Sequence, residues 1–69
     1  MGVYKIIRLV GTSPTSWEEA AKNAVEEASK RLHELRVSEV EQLDMQLEDG
    51  KVVEYRARVH VSFRYKGSE

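Results

Sequence analysis

Positions 53 to 65 alternate between apolar and polar side chains without a break. Val53, Tyr55, Ala57, Val59, Val61, Phe63 and Tyr65 share one parity. Glu54, Arg56, Arg58, His60, Ser62 and Arg64 share the other. A period of two predicts a β-strand with one buried face and one polar face. Val3 to Val10 is rich in β-branched residues and predicts a first strand. Gly11-Thr12-Ser13-Pro14-Thr15 is a run of turn formers expected to stop it. Ser16 followed three residues later by Glu19 is a capping box and predicts a helix start. Trp17, Ala20, Ala21, Ala24, Val25, Ala28, Leu32 and Leu35 then recur at helical spacing. That face is mostly alanine, so Leu32 is expected to carry much of its burial, with about 2–5 kcal/mol lost on truncation to Ala.

Val37 to Glu48 predicts a second strand, with an irregularity. Val37 and Val40 have opposite parity, whereas Leu43, Met45 and Leu47 alternate cleanly. A bulge or strong bend near Glu41 reconciles the two halves. Glu48-Asp49-Gly50-Lys51 predicts a hairpin turn, because Asp-Gly accepts the positive φ angles that such turns need. The expected order is strand, helix, strand, strand. The fold class is α+β: a three-stranded antiparallel sheet packed on one helix, in a single domain spanning residues 1–69.

Size turns this outline toward assembly. A chain of 69 residues buries little surface by itself. It has no cysteine, which excludes disulfides and thiolate metal sites. One helix leaves the second sheet face and both edges open, and natural proteins cover such edges. Self-association is the remaining stabiliser. With 11 basic and 12 acidic residues the net charge is −1, which argues against a dedicated nucleic-acid binder. With no signal-peptide pattern and no apolar run of membrane length, the expected location is the cytoplasm, with no membrane partner.

The candidate chemistry is polar. Arg56, Arg58, His60 and Arg64 read either as an oxyanion site or as a sheet face crossed by salt bridges to Glu39, Glu41, Asp44 or Glu54. Asp44, Glu48, Asp49 and Glu54 offer oxygen ligands for a hard cation, without the spacing of an EF-hand. A symmetry axis repeats one carboxylate and builds the cage that one chain lacks. His33 and His60 lie on different elements and read as ordinary polar residues. The loop from Gly11 to Ser16 lacks a glycine-rich phosphate fingerprint. No nucleophile–base pair or paired carboxylates stand out, so no enzyme is expected.

Two stretches carry a resemblance. Leu9-Val10-Gly11-Thr12-Ser13 with Ser16-Trp17-Glu18-Glu19-Ala20-Ala21 resembles the start of a dodecin, and Glu54-Tyr55-Arg56 through Val59-His60-Val61-Ser62-Phe63-Arg64 resembles its close. The resemblance covers nearly the whole chain. It implies a βαββ subunit of a hollow twelve-subunit shell that stores or buffers a small ligand. Flavin-binding dodecins stack a Trp at the start of the second strand on the isoalloxazine, and the corresponding position here is Val37. They also carry a Gln in the last strand where Arg56 stands, and an Arg midway along the second strand where Asp44 stands. Val37, Asp44, Arg56 and Arg64 are therefore the ligand positions that the resemblance assigns, in altered form. The resemblance points to a branch without the flavin clamp, one member of which is described as binding calcium. The expected ligand is a small polar molecule or a cation, calcium or magnesium, with Asp44, Glu48 and Glu54 as metal candidates. A flavin store with an altered pocket and a purely structural or partner-binding module are the alternatives.

Overall fold

The computed structural model describes residues 2–64. Strand β1 is Tyr4–Ser13, helix α1 Trp17–Ser29, strand β2 Leu35–Glu48 and strand β3 Lys51–Arg64. The sheet is antiparallel with order β1-β3-β2, so the alternating last strand is central. The expected βαββ architecture is present. Tyr65, assigned above to the apolar face, lies outside the described residues.

The core is small and lies between α1 and β3. Ala20, Ala24 and Ala28 meet Ala57, Val59 and Val61, all buried. Ile7, Leu9, Ala21, Val25 and Leu35 pack around them. Alanines on the helix let it lie close to the sheet. Gly11 takes this furthest, since a methyl group there would collide with the backbone carbonyl of Ala20. Gly11 therefore does not end β1, contrary to the turn reading. The strand runs on to Ser13, pairing Gly11 with Ala57 and Ser13 with Tyr55. Here glycine marks close packing and not a turn.

The helix differs from expectation at both ends. Ser16 is the N-cap, and its hydroxyl accepts from the Glu19 N–H at 3.0 Å. The reciprocal half of the box is diverted: the Glu19 carboxylate accepts from the hydroxyls of Ser13 and Thr15. At the other end α1 stops at Ser29, so Leu32 lies past the helix and is only half-buried. The cost of Leu32→Ala then falls to about 1–2 kcal/mol, below that of a fully buried leucine. Leu35 belongs to β2, which begins two residues earlier than its pattern suggests.

The parity slip in β2 is a bulge. Register shifts occur between Val40 and Gln42, leaving Glu41 as the extra residue, and also at Arg36. A third, between Gln46 and Leu47, leaves Val53 unpaired on β3 and breaks the alternation at its start. The turn carries positive φ at Asp49 (51°) and Gly50 (76°), as an Asp-Gly hairpin requires.

Two surfaces lack a cover among the described residues. Helix α1 lies over β1 and β3, so Val40, Leu43 and Met45 of β2 remain 46–49% exposed. Beyond Tyr55 the β2–β3 hairpin continues without β1, and the molecule extends 52 Å along its long axis.

Candidate functional site

Strand alternation sorts the polar side chains onto the sheet face away from α1. Residues paired across antiparallel strands share a face. Asp44 pairs with Arg56, Gln42 with Arg58, Glu39 with His60, and Arg8 of β1 also pairs with His60. The arginines Arg56 and Arg58 therefore meet partners from β2, each at its own level, and His60 meets Arg8 of β1.

Asp44 and Arg56 form a two-pronged pair. The Arg56 Nε donates to Asp44 Oδ1 at 2.7 Å, and Nη2 donates to Oδ2 at 3.2 Å. This fork geometry is the strong form of an Arg–carboxylate contact. The hydrogen bonds from Arg56 hold the Asp44 carboxyl below the usual carboxylate range, and the same pairing raises Arg56. The backbone carbonyl of Asp44 is tied as well, accepting from the Trp17 indole Nε1 at 3.0 Å. Trp17 in turn meets Tyr55 edge to face, with ring centroids 5.2 Å apart. Helix start, second strand and last strand thus converge on one residue.

A second cluster surrounds His60. Glu41 sits on the β2 bulge and reaches Arg8 at 3.5 Å and His60 Nε2 at 3.1 Å. Arg8 Nε also lies 3.0 Å from His60 Nε2. One ring nitrogen fills one role at a time. Bare, it accepts from Arg8; protonated, it donates to Glu41. Arg58 donates to Gln42 Oε1 at 3.0 Å. The salt-bridged reading of this face thus holds for Arg56 with Asp44 and for Arg8 with Glu41, while His60 makes an ion pair with Glu41 only when protonated and Arg58 pairs with a neutral amide.

The four assigned ligand positions do not meet in one chain. Val37 pairs with Ser62, and Arg64 pairs with Tyr4, near one end of β3. Asp44 and Arg56 lie near its middle. Ser62 and Arg56 are six residues apart along β3, which is about 20 Å of strand. Val37 is 63% exposed and offers no ring to stack on. Among the cation candidates, Glu54 pairs with Gln46, one step beyond Asp44 on the same face, and Glu48 pairs with Lys51 at the turn. No group of three or more metal-ligating side chains comes together among the described residues.

Comparison with known proteins gives the family. The family model described as Dodecin matches residues 3–66. The chain belongs to the dodecin family. Calcium dodecin of Mycobacterium tuberculosis is 41% identical over 69 residues, covering all of this chain and 97% of that protein. The solved structure of a calcium-chelating calcium dodecin from the same organism superposes with a TM-score of 0.84 at 42% identity, over 97% of this chain and 96% of that one. The dodecin of Streptomyces coelicolor superposes with a TM-score of 0.91 at 37% identity, over 97% and 96%.

Several working residues of this dodecin escape pattern reading. Arg8 has no signature beyond its parity in an apolar strand. Glu41 reads in the sequence as the site of a bulge and as one of four possible salt-bridge partners, and the bulge is what turns its carboxylate toward both Arg8 and His60. Trp17 reads as one more apolar helix residue, and its indole N–H to Asp44 crosses 27 positions. The loop hydroxyls of Ser13 and Thr15 serve Glu19, whose carboxyl they hold below the usual range. No helix among the described residues is long and apolar enough to cross a membrane.

Proposed function

We propose that this dodecin is the subunit of a hollow shell of twelve identical chains that binds and retains a small ligand, and that the ligand is a divalent cation, calcium ahead of magnesium. The observation that carries this reading is the full-length likeness to calcium dodecin. Two features of the chain support the shell. The hairpin arm and the flank of β2 display Val40, Leu43, Met45, Leu47 and Val52 with 44–60% of their surface exposed. A two-stranded arm of this kind is marginal without a neighbour.

The donor chemistry fits calcium and the donor number within one chain does not. Asp44, Glu48 and Glu54 supply the carboxylate oxygens that a hard cation prefers, but six to eight ligands are needed. Copies around a symmetry axis repeat each carboxylate, so the cation sits between subunits. Asp44 joins only by exchanging Arg56 for the cation, since both its oxygens are engaged. Glu54 and Glu48 are held by no such fork among the described residues. The role is binding and buffering, not catalysis.

Flavin stacking in the manner of the clamp-bearing dodecins is not part of this reading. Val37 presents an aliphatic side chain where a ring would stack, and Arg56 is held by Asp44. Losing base-type stacking removes about 1–3 kcal/mol per ring.

Native mass spectrometry of the purified protein, with and without chelator, tests both halves. The expected peak is twelve chains carrying calcium, with a melting temperature that falls on chelation, because a ligand that prefers the folded state stabilises it. A monomer or dimer removes the shell. A dodecamer whose melting is blind to calcium removes the cation. Retained flavin mass overturns the reading of Val37 and Arg56.

A further inference from the structure

We propose that the open sheet face carries an oxyanion site between Arg8 and Arg58, fitted to a phosphate ion or the phosphoryl group of a small ester. This site is independent of the cation reading above. Arg8, Val10 and Arg58 share the open face of neighbouring strands, because Val10 pairs with Arg58 and Arg8 pairs one step further along. Together with Leu9 they line a hollow of about 170 Å³. That is below the ~300 Å³ at which drug-sized ligands begin. The hollow is open to solvent, and its size suits a single tetrahedral oxyanion.

Charge argues for an anion there. Arg58 makes no direct ion pair among the described residues, although the Asp44 carboxylate lies close enough to feel its charge; its hydrogen bond to Gln42 leaves most of its five donors unused. Arg8 lies 3.5 Å from Glu41, a long contact, and the same carboxylate lies 3.1 Å from the His60 ring. An oxyanion seated between the two guanidinium groups can accept charge-assisted hydrogen bonds from both. Arg56 is excluded from the site because both carboxylate oxygens of Asp44 hold it.

The neighbouring charges give the proposal a distinctive test. Glu41 competes with the anion for Arg8, so its neutralisation frees the guanidinium. Inorganic phosphate and methyl phosphate are titrated at low ionic strength against the assembled protein, following backbone amide shifts or heat. Saturable binding in the millimolar range is expected. Arg58→Gln and Arg8→Gln each weaken it about tenfold, the loss of charge-assisted hydrogen bonds. Glu41→Gln tightens it. Arg36→Gln removes one positive charge elsewhere, from a side chain paired with Glu34, and leaves binding unchanged. Circular dichroism confirms that each variant is folded. Binding of phosphate alone assigns the free ion, and binding of both probes assigns the phosphoryl group. A response that sodium chloride reproduces at equal ionic strength overturns the site, as does an Arg36→Gln loss equal to that of Arg58→Gln.

Discussion

The body and the arm of this subunit solve opposite problems. In the body, α1 lies against β1 and β3, and small side chains bring backbones together until Ala20, Ala57, Val59 and Val61 are at most 1% exposed. In the arm, the same hairpin continues past Tyr55 with no third strand or helix among the described residues, and Leu47 is 60% exposed. β2 belongs to both regions and is exposed along nearly all its length. The body needs no neighbour to be dry; the arm and the β2 flank do. Apolar side chains left uncovered among the described residues are the surface that the proposed shell would bury. On that proposal, stability within the subunit and stability of the assembly are written into different residues.

The largest expected effect tests the body. Gly11→Ala drives a methyl group into the Ala20 carbonyl. Backbone atoms cannot step aside as a side chain tip does, so the helix must lift from the sheet. A loss of about 3–5 kcal/mol is expected, at the top of the range for single substitutions. Urea unfolding of the variant measures it. An unchanged midpoint would show that α1 does not need this close approach.

A matched pair then separates the two regions. Val59→Ala removes buried methyl groups from the centre of the core and should lower subunit stability by about 2–3 kcal/mol. Leu43→Asp alters a side chain that is 46% exposed. It should leave the far-ultraviolet spectrum of the subunit intact while abolishing the oligomer on a sizing column. If both variants assemble equally well, the β2 flank is ordinary surface and the division between body and arm fails.

Much of this division is legible in the sequence. The period of two in β3, the Asp-Gly turn and the alanine face of α1 each rest on local chemistry, so neighbouring residues suffice to read them. The bulge at Glu41 is legible for the same reason, since one inserted residue is what reverses parity partway along a strand. Gly11 reads as a turn former because the chemistry that requires it lies in Ala20, nine positions along the chain and on another element. Leu32 reads as helical because apolar spacing continues past the point where the helix stops. The site is less legible than the fold. Parity puts Arg56, Arg58 and His60 on one face, but which carboxylate each meets depends on strand register and on a one-residue bulge. Trp17 and Arg8 give no signal, because an indole N–H and an edge-strand cation acquire their roles only from what lies opposite.

A smaller effect concerns the join between β1 and α1. Ser16→Ala removes the hydroxyl that accepts from the Glu19 N–H and should cost about 1 kcal/mol. Thermal melting measures it. The comparison sharpens if Glu19→Gln behaves similarly, because the Glu19 carboxylate is bound to Ser13 and Thr15 and not to the cap. Its effect would then trace to the loop, which fixes the strand end that Gly11 brings under the helix.

The smallest effect lies where body meets arm, at Asp44 and Arg56. Both side chains are about two-fifths exposed, so solvent and salt screen the pair and its contribution is modest. Its sign is nevertheless fixed. Hydrogen bonds from Arg56 hold the folded carboxyl below its unfolded value. The stabilisation is then complete above the unfolded carboxylate value, about pH 4, and is lost as the pH falls through the lower folded value. Wild type should exceed Asp44→Asn in stability at neutral pH, and the gap should close in acid below pH ~4. Paired melts across that range read the difference, and a second series with calcium asks what else Asp44 does. If calcium stabilises wild type and the variant equally, Asp44 belongs to the fold of the arm alone. If the calcium increment is lost in the variant, the cation competes with Arg56 for the same two oxygens.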